Sequence, residues 1–142
     1  MSHTIKKASV VAFYNNFEGA KLSVRLLKKY GVDIKKLSIA GKGYHPGSSL
    51  FIISGLGPIA VSGPLVAAIV RAFGQGGYIR SLGALKEGLY NIGIPKEEVF
   101  QYESALKNGL FLVCARGSVD KMAGVKRVFA LSKAIKITVH SP

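Results

Sequence analysis

The sequence predicts an α+β sandwich, and three observations predict it. Residues 8–14 (ASVVAFY) are β-branched and aromatic enough for a strand. An amphipathic helix and a second strand follow, and the same strand–helix–strand order returns at 110–140. Sliding one unit onto the other by about 102 positions places Val11 on Val113, Asn16 on Ser118 and Leu37 on Val139. Two β-α-β halves of this kind predict a ferredoxin-like arrangement, a four-stranded sheet with helices on one face. The halves span 8–42 and 110–140, and residues 43–109 form a central apolar, helical insert in a single domain of 142 residues.

In the first half, Asn15 and Glu18 have the spacing of a helix start, with Asn15 as the cap. Phe17, Ala20, Val24 and Leu27 recur at helical spacing, and Gly31 is the stop. Residues 34–41 (IKKLSIAG) read as the second strand, parallel to the first and joined to it by a right-handed crossover. In the second half, 110–115 (LFLVCA) is a strand interior and Ser118 a helix cap, with Asp120 suited to the first turn. Met122, Val125, Val128 and Phe129 carry the helical stripe, and 135–140 (IKITVH) is the last strand.

The insert holds the unusual stretch. Residues 43–70 contain no charged side chain, and 50–70 read LFIISGLGPIAVSGPLVAAIV. Gly74-Gln75-Gly76-Gly77 then reads as a hinge, 79–91 as a helix, and 96–107 as another, with Pro95 in its first turn and Asn108-Gly109 as its stop. The insert is therefore expected to be two or three helices.

Several motifs, taken in order, carry a family resemblance: Gly41-Lys42-Gly43-Tyr44-His45, Gly57-Pro58, Gly63-Pro64-Leu65, Gly93-Ile94-Pro95, and Tyr102-Glu103 with Ala105-Leu106-Lys107 and Gly109. Over nearly the whole chain they resemble the bacterial general stress protein 17M-like family. Its members are described only as membrane or uncharacterised proteins with a glycine-rich apolar centre. The resemblance implies no agreed activity and no catalytic residues. Its members carry a longer Gly- and aromatic-rich segment where this chain has Pro46-Gly47-Ser48-Ser49. That join reads either as a natural short loop or as a deletion, and a deletion would weaken the membrane behaviour the family implies.

Composition narrows the chemistry. Twenty Lys and Arg against seven Asp and Glu give a formal charge of +13, which attracts polyanions or anionic lipid. Cys114 is the single cysteine and has the setting of an inert buried thiol. The start, MSHTIKKASV, lacks a signal-peptide pattern, so the cytoplasm, extending to the inner face of the membrane, is the expected compartment. Glu97 and Glu98 point apart on a helix and Glu103 lies too far along to pair, which leaves no acid–base constellation. His3, His45 and His140 have no metal-ligand spacing, and no Gly-x-Ser-x-Gly occurs. Gly41-Lys42-Gly43 lacks the phosphate-loop pattern and reads as a tight turn. No enzyme, cofactor, metal or small-molecule substrate is expected, and His45 is the remaining ligand candidate.

Two functional classes follow, with a small-molecule-binding enzyme near His45 and Gly41 ranked third. One is a stress-associated structural or interaction protein, a homo-oligomer or a membrane-associated one. Its surface would be Gly55, Gly57, Pro58, Gly63, Pro64, Leu65 and Ala68, with Lys42, Arg71 and Arg80 meeting anionic lipid. In that class residues 50–70 would be core, a contact surface or a membrane-inserted segment, having about the length of a span. The alternative is a basic nucleic-acid binder, with Phe13, Tyr14 and Phe111 as stacking candidates but without the RNP1 pattern.

Overall fold

The run at residues 8–14 has almost no polar alternation, which is the mark of a strand covered on both faces. A computed structural model describes residues 6–43, 45, 47–76 and 81–141. The strands are β1 (Lys7–Tyr14), β2 (Leu37–Lys42), β3 (Ser49–Ile53), β4 (Gly57–Ser62), β5 (Phe111–Ser118) and β6 (Lys136–His140). The helices are α1 (Phe17–Tyr30), α2 (Pro64–Gly76), α3 (Ser81–Asn91), α4 (Val99–Lys107) and α5 (Val119–Leu131), with 3-10 turns at Ile34–Lys36 and Lys96–Glu98. The strands form one sheet in the order β3-β4-β2-β5-β1-β6, with every neighbouring pair antiparallel. The fold class is α+β, as predicted.

Strands β1 and β2 do not pair. Both run antiparallel to β5, which lies between them. Alternation along β1 sends Ala8, Val10, Ala12 and Tyr14 to one face and Val11 and Phe13 to the other. The first face is covered by α1 and α5, through Ala20, Leu27, Met122, Val125 and Phe129. The second is covered by the insert helices, through Leu65, Ile69, Leu85, Tyr102 and Leu106. The expected single helical layer is thus two layers, because residues 43–109 fold back over the sheet face that the two β-α-β halves leave bare.

Local signals place most of the termini. Asn16, not Asn15, caps α1: its side chain accepts the Gly19 N–H at 2.9 Å. Gly31 closes the helix in the left-handed region at φ 102°. Ser118 caps α5 by accepting the Lys121 N–H.

The apolar stretch departs from the expected helices. It makes hairpin β3–β4 and then α2, so the insert contributes two strands to the sheet as well as three helices. The hairpin closes through Leu56 N–H donating to the Ile53 carbonyl, with Gly55 and Gly57 at positive φ. Gly74 to Gly76 are helical rather than a hinge, and Gly77 lies outside the described residues. Close helix approach does occur, but inside the molecule: a β-carbon at Gly88 of α3 would fall 2.8 Å from Ile69 Cγ1 of α2.

Candidate functional site

The residues expected to form one association surface separate in space. Leu65 and Ala68 are buried core residues, and Ala68, with Pro64, lines a cavity rather than the outer surface. Gly55, Gly57 and Pro58 belong to the hairpin, while Gly63 and Pro64 form the joint between β4 and α2. Lys42 and Arg71 do not flank a common face. Lys42 ends β2, whereas Arg71 lines a cavity beside Lys36 and Ser38 at the start of that strand. Arg80, Tyr44 and Pro46 lie outside the described residues. Among the described residues no helix is long and apolar enough to cross a membrane, because residues 50–70 are divided between two strands and part of a helix.

The other candidates are also accounted for. The His45 ring stacks on Phe17 at 3.9 Å and meets the Phe111 ring edge-on, and the His45 carbonyl accepts the Ser48 N–H and hydroxyl. Among the described residues no group of three His, Cys, Asp or Glu has metal-binding geometry. Phe13, Tyr14 and Phe111 are all buried, so none is an exposed stacking platform. Burial pushes the Cys114 thiol up to about 12 and Arg116 opposes it only in part, so the thiol stays protonated and a poor nucleophile.

What the fold does assemble is a basic cleft. A cavity of about 300 Å³ is lined by Lys7 from β1, Lys35 and Lys36 from the turn before β2, Arg71 from α2 and Arg116 from β5, with Ser38 and Asn91. A second cavity, of about 640 Å³, shares Lys7, Asn91 and Arg116 with the first and adds Lys6, Ser9, Tyr90 and His140. Among the described residues no carboxylate lines either cavity. Nor does any of these cations form an ion pair there; the pair that does occur is Lys86 with Glu103 at 4.0 Å, on the insert helices.

Several contacts fix the walls. Arg116 Nη1 donates to the Asn91 carbonyl at 3.1 Å, and Ser9 Oγ donates to the Ile92 carbonyl at 2.9 Å. Together they tie the end of α3 to β1 and β5. Ser38 Oγ accepts the Leu65 N–H at 3.1 Å and Gly63 O accepts the Val66 N–H, so these first-turn donors of α2 are already used. The cleft therefore holds its positive character in side chains, not in a helix terminus.

The strand order explains why these residues meet. Lys6 precedes β1 and Lys7 opens it, Lys35 and Lys36 precede β2, and Arg116 lies near the end of the antiparallel β5 between them. All five reach the same end of the sheet. The lysine pairs before the first predicted strand and at the start of the second are a sequence signal, but they acquire meaning only with that order. The sequence singles out Arg71 only as a lipid contact, apart from these lysines, and nothing in it adds Asn91.

Charge is segregated beyond the cleft as well. Helices α1 and α5 carry Lys21, Arg25, Lys28, Lys29, Lys121, Lys126 and Arg127 against Glu18 and Asp120. Helices α3 and α4 and the turn between them are balanced, with Lys86, Lys96 and Lys107 against Glu87, Glu97, Glu98 and Glu103. The hairpin edge has a different character: Leu50 and Ile52 of β3 are 46 % and 68 % exposed.

No protein-family model, no curated protein and no solved structure matches the chain.

Proposed function

We propose that this chain is a non-enzymatic binding protein, built on a ferredoxin-like core, that docks a phosphate-bearing anion in its basic cleft. The core reading draws support from the order β6-β1-β5-β2 with α1 and α5 on one face. The single observation that carries the functional reading is that Lys7, Lys35, Lys36, Arg71 and Arg116 converge on one cavity without a carboxylate. Like charges brought together this way repel, and an anion relieves that repulsion as it binds. A nucleic-acid backbone and a small phosphorylated molecule share the chemistry. The test is a thermal-shift titration with inorganic phosphate at constant ionic strength, on the native chain and on the K35A/K36A variant. A saturable rise in Tm that the double variant loses is expected. Equal shifts in both proteins, or none in either, would remove the cleft reading.

A second reading keeps the stress-family expectation of association through the apolar insert, narrowed to the hairpin. It is favoured by Leu50 and Ile52, whose apolar side chains stand exposed on β3 at the end of the strand order. A second copy of this chain is the partner this reading names. An anionic membrane surface is its competitor.

A further inference from the structure

We infer that the two adjoining cavities form one site for a ligand with linked phosphate groups, one group in each lobe, and that Arg116 is the residue that reads the linkage. This rests on the proposed docking of a phosphate-bearing anion in the cleft and specifies its ligand.

Three observations carry it. First, the lobes adjoin: Lys7, Asn91 and Arg116 line both. Second, each lobe has cations of its own, Lys35, Lys36 and Arg71 in the smaller and Lys6 in the larger. A single carboxylate offers one negative charge to this set and leaves most of it unneutralised. Each phosphate group carries up to two charges and several acceptor oxygens, so two linked groups match the number and spread of the donors. Third, Arg116 is oriented by contacts at the junction. Its Nη1 is engaged by the Asn91 carbonyl, and its Nε lies 3.4 Å from the position of a β-carbon at Gly93. A guanidinium held at the junction has further N–H groups to offer, and its fork geometry suits two oxygens at once. A lysine at the same place would supply charge without that geometry.

The volumes agree with a ligand larger than one phosphate. A single tetrahedral anion would leave most of a cavity of about 640 Å³ open beside it. The larger lobe also has a less charged wall, formed by Tyr90, Ile94 and Pro95, against which an organic portion attached to the phosphates can lie. Helix α1, which precedes Lys35 and Lys36 in the chain, carries further cations, with Lys28 and Lys29 in its last turn, and covers the other face of the sheet.

The experiment is calorimetric titration of the full chain with orthophosphate, pyrophosphate, tripolyphosphate and a single-stranded twelve-residue oligothymidylate, each at two salt concentrations. Pyrophosphate and tripolyphosphate are expected to bind at least about tenfold more tightly than orthophosphate, a difference of about 1.4 kcal/mol. R116K, which keeps the charge, is expected to reduce that ratio to about two- or threefold while orthophosphate affinity changes little. The variant K21A/R25A, on the α1 surface away from the cleft, separates the two sources of linked phosphate. If it weakens the oligonucleotide and spares tripolyphosphate, the ligand in the cleft is a strand that continues along α1. If it spares both, it is a compact oligophosphate or nucleotide. Orthophosphate binding as tightly as pyrophosphate would overturn the two-lobe inference and leave the cleft reading standing. An unchanged ratio in R116K would likewise overturn the inference while sparing the cleft. Failure of every phosphate to bind would overturn both.

Discussion

Gly63 passes so close to Leu37 that a β-carbon there would lie 1.9 Å from the Leu37 carbonyl oxygen. Its φ of +85° is also one that side-chain-bearing residues rarely adopt. This contact seats the joint between β4 and α2 against the start of β2. It thereby sets Arg71 of α2 across the cavity from Lys35 and Lys36. G63A is expected to destabilise the fold by about 3 kcal/mol, summing left-handed strain and a backbone clash. Urea denaturation with an unchanged m-value would measure it. A loss below about 0.5 kcal/mol would mean that the joint relaxes easily and does not fix the cleft.

How much of this was legible in the sequence differs by region, for physical reasons. The two β-α-β units were legible because each has its own periodicity and caps: the Ala20–Leu27 stripe, the Gly31 stop and the Ser118 cap are local. The N-cap moved by one residue, from Asn15 to Asn16: the Asn15–Glu18 spacing fits the capping pattern, yet it is Asn16 whose side chain accepts the Gly19 N–H. The second helical layer carried a signal that single-face reasoning passes over. Val10, Val11, Ala12 and Phe13 are all apolar, and a strand with one open face would alternate.

The stretch at 50–70 resisted for another reason. Uninterrupted apolar residues fit a buried strand or a buried helix equally, and length favoured the helix. The decisive marks were Gly55 and Gly57, whose positive φ turns the chain back after Ile53. The cleft was illegible except for its lysine pairs, because Arg71, Asn91 and Arg116 come from three separate elements that only the strand order brings to one end.

Cys114 has one side of its environment in the smaller cavity and yet is nearly inaccessible, at 7 % exposure. Its thiol, raised to about 12 by burial, holds a negligible thiolate fraction at pH 8. Ellman's reagent is expected to react with the native chain at least about a hundredfold more slowly than with the urea-unfolded chain, for which the ordinary thiol value applies. Comparable rates would show that the β2–β5 region opens readily.

Two titrating groups shape stability in opposite senses. Burial raises the Glu103 carboxyl above its ordinary value and Lys86 only partly opposes this, so the folded state holds its proton more tightly than the unfolded state. Stability therefore falls as pH rises from the ordinary carboxylate value toward the raised one. Burial lowers His140, with Glu98 opposing, so the unfolded state takes the proton first. Stability from that group is complete above about pH 6.5 and declines as pH falls toward the lowered value. E103Q is expected to remove the first slope and to raise stability at pH 7 by up to about 1 kcal/mol. H140N is expected to flatten the second. Denaturation midpoints between pH 4 and pH 8 would check both, and an unchanged profile in either variant would dismiss that residue's part.

Tyr102 joins α4 to the edge strand β6. Its hydroxyl meets Thr138 Oγ1 at 2.5 Å and also His140 Nε2, and its ring is fully buried against Phe13. Y102F keeps the ring and removes both polar contacts, leaving Thr138 and His140 each short of one partner. A cost of about 1–2 kcal/mol is expected. Hydrogen exchange should show the loss concentrated at β6, whose amides pair only with β1. Uniform exchange across the sheet would mean that Tyr102 acts through global stability alone.

The hairpin gives the last test, because it separates the second functional reading from the first. Strand β3 is an edge, and Leu50 and Ile52, two residues apart, project to the same side of it. Exposed apolar residues on an edge strand invite another strand, and natural edges discourage this with charge. Within β3 itself there is none: the strand reads SLFII. I52K places a lysine on that edge at a position 68 % exposed, so the fold itself should tolerate it within about 0.5 kcal/mol. If copies of the chain pair through β3, light scattering will find the native protein as a concentration-dependent dimer and I52K as a monomer. Phosphate binding in the cleft, at the start of β2 rather than on the β3 edge, should be equal in the two proteins. A native chain that is monomeric at every concentration and does not float with anionic vesicles would remove the hairpin reading and leave the cleft as the functional surface.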